Sequence, residues 1–341
     1  MSYSNINKST DFFNSKLWSG NGSSQALTGL GHATNMVWIK SRTDSRKHNL
    51  YDDVRGVQKR IVPNDNVAED TVPGVTAFGT DGFTVGSETD TNGSSRDFVG
   101  WSWKAGTTGS GTTTGSGTGK AYSYSVNTTA GFSIVKYVGN GTGGHTIPHH
   151  LGVAPSNVII KDISASNSWI CKMKGYSGYL YLNNSDAGTS NSTWLPTDAT
   201  KLTLANTWGA YNTNNATYIA YCFAEKSGYS KFGGYKANGA SFDNVFNYTG
   251  FKPTLLILKR TNSTGNWVIQ DNKRAGYNQA NYHLYPNITN AEGTNYYVDF
   301  LSNGFKIRDN PNDIGGNNDT YIFMAFGQSL VGSNNIPCTA R

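Results

Sequence analysis

The chain has 341 residues, a formal net charge of +6 and only 15% charged residues, with 40 Gly, 20 Tyr, 15 Phe and 8 Trp among clusters of Asn, Ser and Thr. Short β-branched and aromatic runs broken by turn residues exclude a helical bundle and favour an all-β fold. The cations form no polybasic stripe and no reading motif accompanies them, and no run approaches about 18 apolar residues, so neither a nucleic-acid partner nor membrane insertion is expected.

In chain order, residues 1–16 lack a basic segment followed by an apolar one, so no export signal is read there. Tyr3, Phe12 and Phe13 make this start a candidate docking segment. Met36-Val37-Trp38-Ile39-Lys40 is then an apolar run closed by a lysine, and it recurs as Val158-Ile159-Ile160-Lys161 and as Leu255-Leu256-Ile257-Leu258-Lys259. Two further landmarks recur with it. Asn64-Asp65-Asn66-Val67-Ala68-Glu69 returns at 183–188 and 287–292, and Phe98-Val99-Gly100-Trp101-Ser102-Trp103 returns at 218–223 and 321–326. A period of about a hundred residues is that of a domain, longer than the roughly 20–50 residues of a solenoid repeat.

Within the repeats, Ser102, Cys222 and Ala325 alternate with Trp103, Phe223 and Phe326, the period-2 pattern of a strand. Asp81-Gly82 and Asn303-Gly304 stand between apolar runs and predict two-residue hairpins. The fold class expected is all-β, with three tandem antiparallel β-sandwich (jelly-roll-like) domains at 1–106, 121–228 and 229–330. Residues 107–120, rich in Gly, Ser and Thr, read as a flexible linker, and 331–341 as a C-terminal tail. The first domain is then expected to move against a stiffer second and third. Both a compact pseudo-threefold monomer and beads on a string stay open, as does a trimer.

Candidate chemistry is sparse. Asp52 with Arg55 recurs as Asp271 with Arg274; with Glu69 or Glu292 these suggest an acid/base pair, but carboxylates duplicated in two repeats read as structural pairs. His145, His149 and His150 flank Pro148, which argues against the helix their metal-binding spacing needs, so no metal is expected. Asn/Asp-rich loops such as 309–313 lack the EF-hand spacing. Three cysteines make no disulfide framework, and Cys222 reads as a core filler. Lys40/Arg42 with Arg46/Lys47, and Lys259/Arg260 with Lys273/Arg274, are small basic patches that read as solvated faces. The loop 205–215 of the second repeat departs from its sisters, and Trp208, Tyr211 and Asn212 on it are the candidate glycan-binding residues.

Trp18-Ser19-Gly20-Asn21-Gly22, the segment 36–42, Leu50-Tyr51-Asp52-Asp53-Val54-Arg55-Gly56 and Gly82-Phe83-Thr84-Val85-Gly86 together resemble a tandem-repeat virion structural, tail-fibre-like domain family of tailed, mainly marine, bacteriophages. Segments 131–155, 248–253 and 299–305 resemble further copies. The resemblance implies a virion structural protein, a tail-fibre or adhesin component assembled in the host cytoplasm, with other virion proteins and a host surface glycan as partners. It implies no enzyme activity and no cofactor. Capsid decoration (a cement or head-fibre protein) and, less favoured, a polysaccharide-degrading enzyme are the alternatives.

Overall fold

The computed structural model describes residues 6–329. Among them the regular helices are one 3₁₀ turn, Ser9–Asp11, and the four-residue α1, Thr89–Asn92; the rest of the regular structure is antiparallel β. The tail at 331–341, with Cys338, and Tyr3 at the start lie outside the described residues.

The first repeat contains β1 (Phe13–Ser19), β2 (Gln25–Thr28), β3 (Met36–Ser41), β4 (Asn49–Asp52), β5 (Lys59–Arg60), β6 (Asp70–Thr71), β7 (Val75–Gly79), β8 (Gly82–Val85) and β9 (Asp97–Trp103). One sheet runs β1-β9-β3-β4 and a second β2-β8-β7, with β5 and β6 as a separate ribbon. The apolar run of the sequence is thus β3, paired on both sides and buried on both faces. Val37 and Ile39 point one way and meet Leu27, Phe83 and Val85 of the second sheet, while Met36 and Trp38 point the other way.

The second repeat contains β10 (Thr107–Thr112), β11 (Thr114–Gly115), β12 (Ala121–Asn127), β13 (Phe132–Val138), β14 (His145–Pro148), β15 (Asn157–Asp162), β16 (Ile170–Lys172), β17 (Gly178–Tyr181), β18 (Thr189–Ser190), β19 (Lys201–Leu204) and β20 (Thr217–Phe223). Its large sheet runs β10-β12-β13-β20-β15-β16-β17-β18, opposite β11-β14-β19. The third repeat contains β21 (Ser230–Lys236), β22 (Phe246–Tyr248), β23 (Phe251–Arg260), β24 (Trp267–Asp271), β25 (Val298–Leu301), β26 (Gly304–Ile307) and β27 (Thr320–Ser329). It forms β21-β27-β23-β24 and β22-β26-β25, the order of the first repeat again.

The other faces of the three large sheets meet in one shared core. Trp38, Trp101 and Trp103 of the first repeat, Ile159, Tyr221 and Phe223 of the second, and Ile257, Met324 and Phe326 of the third belong to one buried cluster. At its centre a void of about 20 Å3 remains, room for a single water. The small residues Cys222 and Ala325 of the closing strands face the core inside their own repeat, and the large ring after each faces this shared centre. First and third repeats touch directly: Phe13 stacks on Phe326 at 5.7 Å, and Trp103 meets the same ring at 5.8 Å. The repeats therefore close on one another, which corrects the expectation of a first domain free to move. Phe13 is docked inside the chain and Phe12 lies against Tyr229, so neither forms a free docking segment.

Two local expectations also change. Residues 107–120 are not a flexible linker: Thr107–Thr112 pairs with β12 and Thr114–Gly115 with β14. Gly109 and Gly111 sit opposite Tyr124 and Tyr122, whose rings lie where a glycine Cβ would be. Cross-strand rings covering glycines supply the burial that the segment's own side chains lack. The hairpins at 78–85 and 300–307 form, but one residue earlier than Asp-Gly and Asn-Gly predict: Gly79 pairs with Gly82 and Leu301 with Gly304, leaving Thr80-Asp81 and Ser302-Asn303 as the turns. The glycines serve the neighbouring strand instead, because a Cβ on Gly82 would stand 1.9 Å from Leu27 O, and one on Gly304 2.2 Å from Asn247 O.

Candidate functional site: buried seams and an aromatic surface

Pairing registers align the repeats residue by residue, placing His48, Trp169 and Trp267 at one position, immediately before β4 and β16 and as the first residue of β24. Each ring bonds to a backbone carbonyl of a neighbouring repeat: His48 Nε2 to Tyr285 O at 2.9 Å, Trp169 Nε1 to Val62 O at 2.9 Å, and Trp267 Nε1 to Tyr181 O at 2.8 Å. Those three acceptors are themselves equivalent. A second set follows the same direction around the ring. Trp101 Nε1 donates to Asp271 Oδ2 at 2.9 Å, and the Tyr221 hydroxyl to Asp52 Oδ2 at 2.6 Å; at the third seam the corresponding residues are Met324 and Met173. Backbone bonds from Glu69 N to Ile163 O, Gly188 N to Thr261 O and Glu292 N to Arg42 O complete a threefold pattern.

The charged residues serve these seams. Asp52 and Asp271 each accept from their arginine's Nε at 2.6 Å and its backbone N at 2.9 Å, with both side chains almost wholly buried. Arg55 reaches on to Glu69, and Arg274 to Glu292, both at 3.0 Å. Glu292 also takes a two-pronged bond from Arg42 across the seam, and the Arg274 guanidinium lies 5.6 Å from the Trp101 ring centre. Lys40, Lys161 and Lys259 are buried rather than solvated. Their ammonium groups donate to carbonyls, among them Asn66 O and Ser185 O of the adjoining repeat. Burial pulls Lys40 down to about 7 and Lys161 and Lys259 to about 8. Of the basic patches of the first and third repeats, Lys40, Lys259 and Arg274 are thus internal, while Lys273 is exposed. The oxygens of Asp52 and Asp271 are shared between their own arginines and a side-chain donor of the adjoining repeat, the arrangement of structural ion pairs.

The histidines at 145–150 diverge. His145 lies between Thr113 and Asn212, His149 bonds to Asp198 O, and His150 stacks on Tyr124 at 3.7 Å. Among the described residues no group of three His, Cys, Asp or Glu is placed to hold a metal ion. Cys171 and Cys222 are buried free thiols.

The model of a domain family, Domain of unknown function (DUF7483), matches residues 8–329. The chain belongs to that family. The match runs across all three repeats, so the DUF7483 domain is the closed assembly rather than one repeat of it. No curated protein and no solved structure matches the chain.

On the surface of the DUF7483 domain, loop 205–215 places its three candidates differently. Tyr211 is fully buried, its hydroxyl 2.7 Å from Asn206 Oδ1, and its carbonyl accepts from Tyr137. Asn212 is also buried: it accepts from Asn140 N and donates to Thr142 O and Asn206 O. These two pin the loop and are not open to a sugar, because an amide and a phenol with all their partners inside gain nothing from a hydroxyl outside. Trp208 remains half-buried at the surface. Its ring neighbours are Tyr179, at 5.0 Å, the buried Tyr211, at 5.7 Å, and Tyr181, at 6.5 Å between ring centres. Tyr179 and Tyr181 escape a reading that searches along the loop, although their i, i+2 spacing in Gly178–Tyr181 marks them as one face of a strand.

Proposed function

We propose that the chain is a bacteriophage virion structural protein, a tail-fibre or adhesin component that contacts the host cell surface, built from three tandem jelly-roll-like β-sandwiches. The observation that carries this reading is the closed ring of seams: equivalent donors at 48, 169 and 267 bond to the adjoining repeat and make one pseudo-threefold body of a single chain. A stiff body of that kind suits mechanical attachment, and the resemblance of the repeats to virion domains gives it a setting. Other virion proteins and a host surface glycan are the partners that follow, and assembly takes place in the host cytoplasm. No enzymatic role is proposed, because the duplicated carboxylates that suggest acid/base work are held by Arg55, Arg274 and Arg42.

Capsid decoration is the second reading, favoured by the compact ring without a heptad stretch or β-helical shaft among the described residues. Cryo-electron microscopy of intact virions tests both. Density for the ring at the tail supports the adhesin, density on the head lattice replaces it with decoration, and virions lacking the chain defeat the proposal.

A further inference from the structure

The three repeats carry different chemistry at one shared place, beside the segment that follows β4, β16 and β24. In the first repeat Arg60 is paired with Asp70 and Asp90. In the third His283 is stacked on Tyr296 at 4.1 Å and bonded to the Tyr285 hydroxyl. Both arrangements satisfy themselves. The second repeat has Tyr179, Tyr181 and Trp208 there, all three half-buried. Their rings meet at 59–72°, tilted or edge to face, so no pair closes into a parallel stack, in contrast to the 17° stack of Tyr124 on His150.

Trp208 also stands apart from the other tryptophans. Trp38, Trp101, Trp169, Trp194 and Trp267 spend their indole N–H on a protein acceptor, and Trp18 and Trp103 are buried without one. Among the described residues, Trp208 alone is both at the surface and without a partner for its Nε1. Its backbone is held firmly, because Tyr211 N and Asn212 N donate to its carbonyl and Asn206 Oδ1 accepts from its N–H. Tyr181 is fixed as well, since its carbonyl takes the Trp267 seam bond at 2.8 Å. Rigid rings lose little entropy when a ligand settles on them.

We infer that Tyr179, Tyr181 and Trp208 form a stacking platform for a neutral pyranose oligosaccharide. The C–H face of a pyranose packs on an aromatic face, while the indole N–H, the tyrosine hydroxyls and the exposed Asn206 amide supply partners for its hydroxyls. Exposed Asp186, in electrostatic contact with Tyr181, disfavours an anionic sugar. The inference rests on the proposed host contact only for its biological partner.

The test is titration of the full chain with cellohexaose, laminarihexaose and chitohexaose, followed by tryptophan fluorescence and calorimetry. At least one hexasaccharide is expected to bind. Trp208→Ala is expected to weaken it at least about tenfold and Trp208→Phe, which keeps a ring against Tyr179, by about threefold; Tyr277→Ala, at an exposed ring in the third repeat, is expected to leave it unchanged. Binding by none of the three sugars, or equal binding by the folded Trp208 variants and wild type, overturns the platform. Virions that contain the chain while it binds no hexasaccharide defeat the platform alone; binding through Trp208 by a chain absent from virions defeats the virion assignment alone.

Discussion

Tyr221→Phe removes one oxygen from the seam between the first and second repeats. Asp52 then keeps two donors, Arg55 Nε at 2.6 Å and Arg55 N at 2.9 Å, and loses the 2.6 Å bond from the hydroxyl. A hydrogen bond to a buried charged group contributes about 1.5–3 kcal/mol, so a loss of about 2 kcal/mol is expected. What that does to melting depends on how much of the chain unfolds together. With an unfolding entropy of about 2.1 cal/mol/K per residue, a body of some 320 residues shifts by about 3 °C, whereas a repeat of about 100 residues unfolding alone shifts by about 10 °C. Differential scanning calorimetry separates the two. The shared core predicts one transition that moves by about 3 °C as a whole, and Tyr221→Phe combined with Asp52→Asn should cost less than the sum of the two single changes. Separate transitions of which only one moves, or a shift below about 0.5 °C, would refute the reasoning.

Three further outcomes follow from the same geometry. Glu292→Gln leaves Arg42 and Arg274 without their shared carboxylate and is expected to cost about 3–5 kcal/mol in urea unfolding, more than Glu69→Gln, because Glu69 is more exposed and holds Arg55 alone. Gly82→Ala drives a Cβ into Leu27 O at a φ of +152°, and Gly304→Ala one into Asn247 O, so each should lower the melting temperature by about 4 °C, for a cost of about 3 kcal/mol. Burial holds the His283 imidazole down to about 4, against 6.5 when unfolded. A depressed base contributes stability that is present above pH 6.5 and lost as pH falls through 4, up to about 3 kcal/mol, and Asp53, raised by burial to about 6, offsets part of it. Urea midpoints of wild type and His283→Gln across pH 4–7 check this, with a flatter profile expected for the variant.

Much of this architecture was legible in the sequence. Lys40, Lys161 and Lys259 mark three equivalent strands, and the alternation of Ser102, Cys222 and Ala325 with large rings correctly signals two faces with different neighbours. Equivalence alone does not reveal that the second face is shared between repeats, because Trp38 facing a sister repeat and Trp38 facing its own sheet have the same pattern. For the same reason a lysine closing a strand reads as solvated until a neighbour's carbonyl is brought to it. Residues 107–120 misled through composition: glycine weakens a strand in isolation, and the tyrosines that compensate at 122 and 124 lie across a turn. At the surface, Trp208 stood out as a departure from its sisters, and besides Tyr211 of its own loop it meets two tyrosines of β17 that a search along the loop does not reach.

Closure of the three repeats into one body is tested most directly by small-angle X-ray scattering of the purified chain. A compact body of this length has a radius of gyration of about 20 Å, while three domains strung in line give about 30 Å. A value near 20 Å, unchanged by dilution, is predicted. A value near 30 Å contradicts the shared core and the seams built around it.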